Sequence, residues 1–131
     1  MHKANRGKTE RSNMTFEPIS FFYDSIDRNA IIVKPKKPFF DWLNSVIKEK
    51  EPITINDENN IYLIREMDSN EEILKWIKRN FNMIFVNELN DWYSDEETWP
   101  KRRTYKMFSE WFDVEICSMV LDIEDYPVTK D

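Results

Sequence analysis

The amino-acid sequence predicts an α+β domain: a small, mainly antiparallel sheet of three to five strands with about three helices packed on one face. Two patterns predict it. Short β-branched runs, "NAIIVKPK" and "NIYLIRE", have the length and composition of strands. Between and after them lie longer stretches in which apolar residues recur every three or four positions, the period of an amphipathic helix. The 131 residues suit one domain, assigned to 14–131, behind a flexible basic tail at 1–13.

The elements follow in order. "FEPISFFYD" (16–24) is aromatic and fits either a short edge strand or an arm packed on the body; Pro18 speaks against a central strand. "NAIIVKPK" (29–36) reads as a strand, closed by Pro35 and Pro38, which donate nothing to a ladder. "PFFDWLNSVIKEK" then reads as a helix. Pro38 suits its first turn, and Phe39, Leu43, Val46 and Ile47 share one face. "PITINDENNIYLIRE" (52–66) holds two β-like pieces around "NDENN", a candidate hairpin without the Asn-Gly or Asp-Gly that fixes a tight turn. The second piece is the stronger strand.

The clearest helix is "DSNEEILKWIKRNFNMIFVNELNDWY". Ser69 and Glu72 match a capping box, and Ile73, Trp76, Ile77, Phe81, Ile84, Phe85, Leu89 and Trp92 recur at helical spacing. The weak helix propensity of asparagine predicts a kink or break near Asn80–Asn82. "RTYKMFSEWF" reads as a short helix. "DVEICSMVLDIED" reads as the last main strand, and its apolar residues on both faces from Ile116 to Ile123 predict a central place in the sheet.

Composition excludes much familiar chemistry. Gly7 is the only glycine, and phosphate-cradling loops need glycine for positive φ and close backbone approach. "RGKTE" contains Gly-Lys-Thr, but His2 stands where a P-loop's first glycine belongs. His2 is the only histidine and lies in the tail, which removes the usual serine and cysteine triads and histidine zinc sites. Cys117 is the only cysteine, so no internal disulfide forms, and it reads as a small hydrophobe in an apolar run. With no signal peptide at the N-terminus and no apolar run near the roughly 18 residues of a membrane helix, a cytoplasmic location is the expectation.

Charge is uneven. Residues 1–37 hold 8 Lys/Arg against 4 Asp/Glu, and residues 38–131 hold 11 against 21, a net of +4 followed by −10. The acidic body disfavours nucleic acid and suits a basic protein partner.

Three segments, "IIVKPKKPFFDWLN", "YLI" and "NELNDWYSDEETWPKRRTYKMFSEWF", resemble a group of short uncharacterised bacterial proteins, over most of residues 29–123. The resemblance implies a free-standing bacterial domain and lends no activity, cofactor or catalytic residue.

The candidate site is "DWYSDEETWPKRRT" (91–104), where Asp95, Glu96 and Glu97 precede the Trp99-Pro100 pair and Lys101, Arg102 and Arg103 follow it. Acids after one helix and bases before the next oppose both helix dipoles, at roughly 0.3–1 kcal/mol each. Two readings compete: a scaffold loop pinned by a buried Trp99, or a binding surface built on an exposed one. Asp91, Asp95, Glu96 and Glu97 lack the alternation and glycine of a calcium loop, so no metal and no cofactor is expected.

The leading expectation is a small non-catalytic interaction or regulatory protein, of inhibitor, immunity or antitoxin type, that binds a basic partner. The alternatives are a carboxylate-dependent, metal-assisted hydrolase using Glu88 or Glu110 with Glu115 or Asp122, and a nucleic-acid or small-anion binder centred on Lys101, Arg102, Arg103 and Lys106.

Overall fold

A computed structural model of the chain describes residues 24–48, 51–54 and 59–129. The tail at 1–13 and residues 16–23 of the aromatic segment lie outside the described residues. The element order is β1 (Asp24–Ser25), β2 (Arg28–Pro35), α1 (Lys37–Val46), β3 (Asn60–Arg65), α2 (Asn70–Trp92), a 3-10 turn (Glu96–Thr98), α3 (Tyr105–Trp111), β4 (Phe112–Cys117) and β5 (Leu121–Asp122).

The fold is α+β. Three strands form an antiparallel sheet in the order β3-β2-β4, and β1 pairs with β5 as a separate antiparallel ribbon. The register places Ile31 between Tyr62 and Ile116, and Val33 between Asn60 and Val114. Side chains alternate across a strand, so these residues share the face on which the helices pack. Ile31 and Val33 are fully buried there with Phe39 and Leu43 of α1, Ile73, Ile77, Ile84, Phe85 and Leu89 of α2, and Phe108 of α3. Aromatic rings fill the middle: Phe85 sits 5.4 Å from Trp111 and 5.3 Å from Phe112, edge-to-face with the latter.

The other face presents Ala30, Ile32, Ile61, Leu63, Glu115 and Cys117 by the same alternation. Ile61 is 63% exposed and Leu63 is 50% exposed, so none of the described helices covers this side of β3.

Three expectations need correction. The central strand is β2, and β4 flanks it. The apolar run 116–123 is no single strand: β4 ends at Cys117, and β5 leaves to pair with β1. It is β2 that carries apolar residues on both faces, as a central strand should. Second, α2 runs unbroken for 23 residues through Asn80–Asn82. Ile77, Ile84 and Phe85 bury on the core there, and tertiary burial outweighs the small propensity cost of asparagine. Asn80 Nδ2 also donates back to Trp76 O at 2.8 Å. Third, among the described residues of 52–66 only Asn60–Arg65 is a strand. Pro52–Thr54 is irregular, with Ile53 clamped by two hydrogen bonds to the Asn44 side chain (2.7 and 2.9 Å), and residues 55–58 lie outside the described residues.

The Ser69 cap is present: its Oγ accepts from Glu72 N at 3.1 Å. Among the described residues none has positive φ. No described helix is long and apolar enough to cross a membrane.

Candidate functional site

A cleft of about 1370 Å3 runs between β3, α2 and the loop after α2. Tyr62, Leu63, Ile64 and Arg65 of β3 line it, followed by Glu66. Successive residues of a strand point to opposite faces, so a cleft touching five in a row meets the strand along its edge. β3 has a neighbour, β2, on one side only among the described residues. On an edge strand, alternate N–H and C=O groups face away from the sheet.

α2 contributes Trp76, Met83, Asn87 and Asn90, whose spacing of seven, four and three places them on one stripe of the helix. Met83 is 60% exposed. The loop supplies Glu96, Glu97, Trp99, Lys101 and Arg103. Asp27 and Arg28, at the start of β2, close one end. The volume exceeds the roughly 300–1,000 Å3 of ordinary small-molecule sites.

The loop answers the question its sequence poses. Trp99 is only 8% exposed, and its Nε1 donates to Tyr93 O at 2.8 Å. Trp42 Nε1 donates to the neighbouring Thr98 O, also at 2.8 Å. Two indoles therefore pin the loop, and Trp99 is an anchor that shows one edge to the cleft. The acids belong to a turn of their own. They start the 3-10 turn Glu96–Thr98, where Asp95 Oδ1 accepts from Glu97 N at 3.1 Å, a favourable N-terminal arrangement.

The bases differ among themselves. Arg103 is spent on the scaffold: Nε donates to Asn82 Oδ1 and Nη1 to Pro100 O, both at 2.7 Å. Lys101 Nζ reaches Glu96 O at 3.3 Å and stands 4.0 Å from Glu97 Oε1. Arg102 is exposed and, with Asp95 and Pro100, does not line the cleft. Lys106 pairs with Glu110 on α3 at 2.7 Å.

A polar network that the sequence did not reveal stiffens the β3–α2 wall. Glu88 is 1% exposed. Its Oε2 accepts from Tyr62 Oη at 2.6 Å and from Asn60 Nδ2 at 2.7 Å. Asn60 Nδ2 also donates to Asp91 Oδ2 at 3.0 Å, and Asn87 Nδ2 donates to Tyr62 Oη at 2.8 Å. Burial pushes the Glu88 carboxyl above the usual carboxylate range; the bonds from Tyr62 and Asn60 pull it partly back, and the Asp91 charge adds to the rise. Burial, then the bond to Glu88, raises the Tyr62 hydroxyl above the ordinary phenol range. The available signal was Glu88's place inside the apolar stripe Ile84, Phe85, Leu89. Its partner strand lies too far along the chain for spacing to identify.

The acids weighed for hydrolysis do not meet. Glu88 lies on the helix side of the sheet, while Glu115 lies on the outer face and pairs with Lys34 at 2.8 Å. Glu110 is held by Lys106, and Asp122 Oδ1 accepts from Glu124 N. Among the described residues no group of three or more His, Cys, Asp or Glu side chains could hold a metal ion. Asp91 Oδ2 accepts from Asn60, and Asp91, unlike Glu96 and Glu97, does not line the cleft.

Comparison with known proteins supplies no relative: no family model matches the chain, and no curated protein and no solved structure matches it.

Proposed function

We propose that this chain is a small protein-interaction domain that takes up an extended segment of a partner protein along the free edge of β3. The observation that carries this reading is the unbroken run Tyr62–Glu66 lining the cleft. Strand addition satisfies the outward backbone groups of an edge strand and supplies affinity through main-chain hydrogen bonds. Met83, Trp76 and the outward Leu63 supply apolar surface beside that edge. The walls are fixed by buried groups, the Tyr62–Glu88 bond on one side and the Trp99 anchor on the other. A prebuilt cleft lowers the ordering cost of binding. The net −10 of residues 38–131 favours a partner that is basic as a whole, met in the cytoplasm.

The test is amide hydrogen exchange. A peptide selected from a random library against the purified chain is expected to slow exchange at alternate amides of residues 60–65. Protection confined to other elements would remove the β3 edge from consideration.

A further inference from the structure

The outer face of β3 carries a pattern of its own. Ile61, Leu63 and Arg65 point to that side at two-residue intervals, and all three are exposed. Across β2, Ile61 stands opposite Ile32, Leu63 opposite Ala30 and Arg65 opposite Arg28. The first two pairs are apolar. The third places two arginines at directly opposed positions of the ladder, an arrangement that costs stability unless an anion answers it. Arg28 uses Nη1 on the neighbouring Asp27 O at 2.8 Å. Among the described residues no ion pair joins either arginine to an acid. Both line the cleft, whose acids are Asp27, Glu66, Glu96 and Glu97; Glu66 has an interaction of its own.

Resting on the strand-docking reading above, we propose that the docked segment is selected by its outward side chains: a carboxylate opposite Arg65, then apolar residues two and four positions away, opposite Leu63 and Ile61. A strand added to the free edge of β3 places alternate side chains against these three at the two-residue spacing of about 7 Å. The carboxylate accepts from Arg65, with Arg28 one strand behind it, and relieves the like-charge pair. An antiparallel segment reads acid-x-apolar-x-apolar; a parallel one reads the reverse. A partner that is basic as a whole still fits, since one acid at this position suffices.

The experiment uses the full chain and ten-residue peptides, acetylated and amidated so that the side chain is the only carboxylate. Each carries Glu-x-Val-x-Val or its reverse, and each is matched by a Gln peptide. Fluorescence anisotropy gives the affinities, and amide exchange gives the binding place. The Glu peptide of one direction is expected to bind about two- to fivefold tighter than its Gln match, the range of a cross-strand charge pair. The preference should shrink with added salt. In Arg65→Glu the preference should invert towards a Lys peptide; circular dichroism confirms that this exposed site keeps the fold. Equal affinity of Glu and Gln peptides, with β3 amides still protected, would overturn the acid selection and leave strand docking intact. Protection absent from β3 with every peptide would overturn both.

Discussion

Tyr62 donates its hydroxyl to Glu88 Oε2 at 2.6 Å, joining the edge strand to a helix residue 26 positions further along the chain. The carboxyl is nearly inaccessible, and its two recorded donors meet on one oxygen. The wall of the cleft therefore depends on a group whose charge is costly to bury.

That cost makes stability depend on pH with a defined sign. The folded chain holds the Glu88 proton at pH values where the unfolded chain, near the ordinary 4.5, has released it. The stabilisation is full below the unfolded value and is lost as pH rises through the folded one. Glu88→Gln lacks this proton, so its stability relative to the parent should improve as pH rises from the ordinary 4.5 through the raised folded value. Urea unfolding midpoints across that range check it; parallel curves for the two chains would contradict the buried-proton account.

Tyr62→Phe removes one donor to Glu88 and the acceptor for Asn87. The expected loss is about 1–3 kcal/mol, larger above the raised Glu88 titration, where the carboxylate is charged, than below it. A double-mutant cycle with Glu88→Gln should show coupling, because the two changes break one shared bond.

Trp99 and Arg102 should separate scaffold from surface within one loop. Trp99→Phe keeps most of the buried ring but forfeits the bond to Tyr93 O, for about 1–2 kcal/mol; Trp99→Ala should cost about 3–5 kcal/mol. Arg102→Ala, at an exposed position, should stay within about 0.5 kcal/mol. Thermal unfolding of the three variants makes the comparison, and a large loss at Arg102 would show that the loop is held differently.

Ser69→Ala deletes the cap of α2 and should cost about 1 kcal/mol, with Ser69→Asp nearly neutral. Chemical denaturation measures both. Equal stability of Ser69→Ala and the parent would mean that packing alone sets the start of this helix.

The helices and their buried faces were legible because period and capping are local. Phe39, Leu43, Ile73, Ile77, Phe85 and Leu89 announce themselves by spacing, and all are buried. Strand order was not legible, since it depends on which edge of β2 meets which partner. The apolar run after Phe112 looked central only because it was read as one strand. Of the loop, five of the eight proposed residues reach the cleft, yet the cleft's main wall, Tyr62–Glu66, went unnoticed. An edge strand and an inner strand of this length share one sequence pattern. Asn29 was equally silent: it is fully buried, donating to Ser118 O at 3.0 Å and accepting from Met67 N at 2.7 Å, a bridge between segments far apart in the chain.

The lack of glycine from the body, and of any positive φ among the described residues, also bears on the state the protein leaves behind when it folds. Each glycine replaced by a side-chain residue at a compatible position narrows the denatured ensemble, and the effect is about 0.4–1 kcal/mol per site. A chain with glycine only at position 7 therefore begins with fewer backbone conformations to surrender. Part of its stability resides in no contact of the native structure and survives substitutions that remove such contacts.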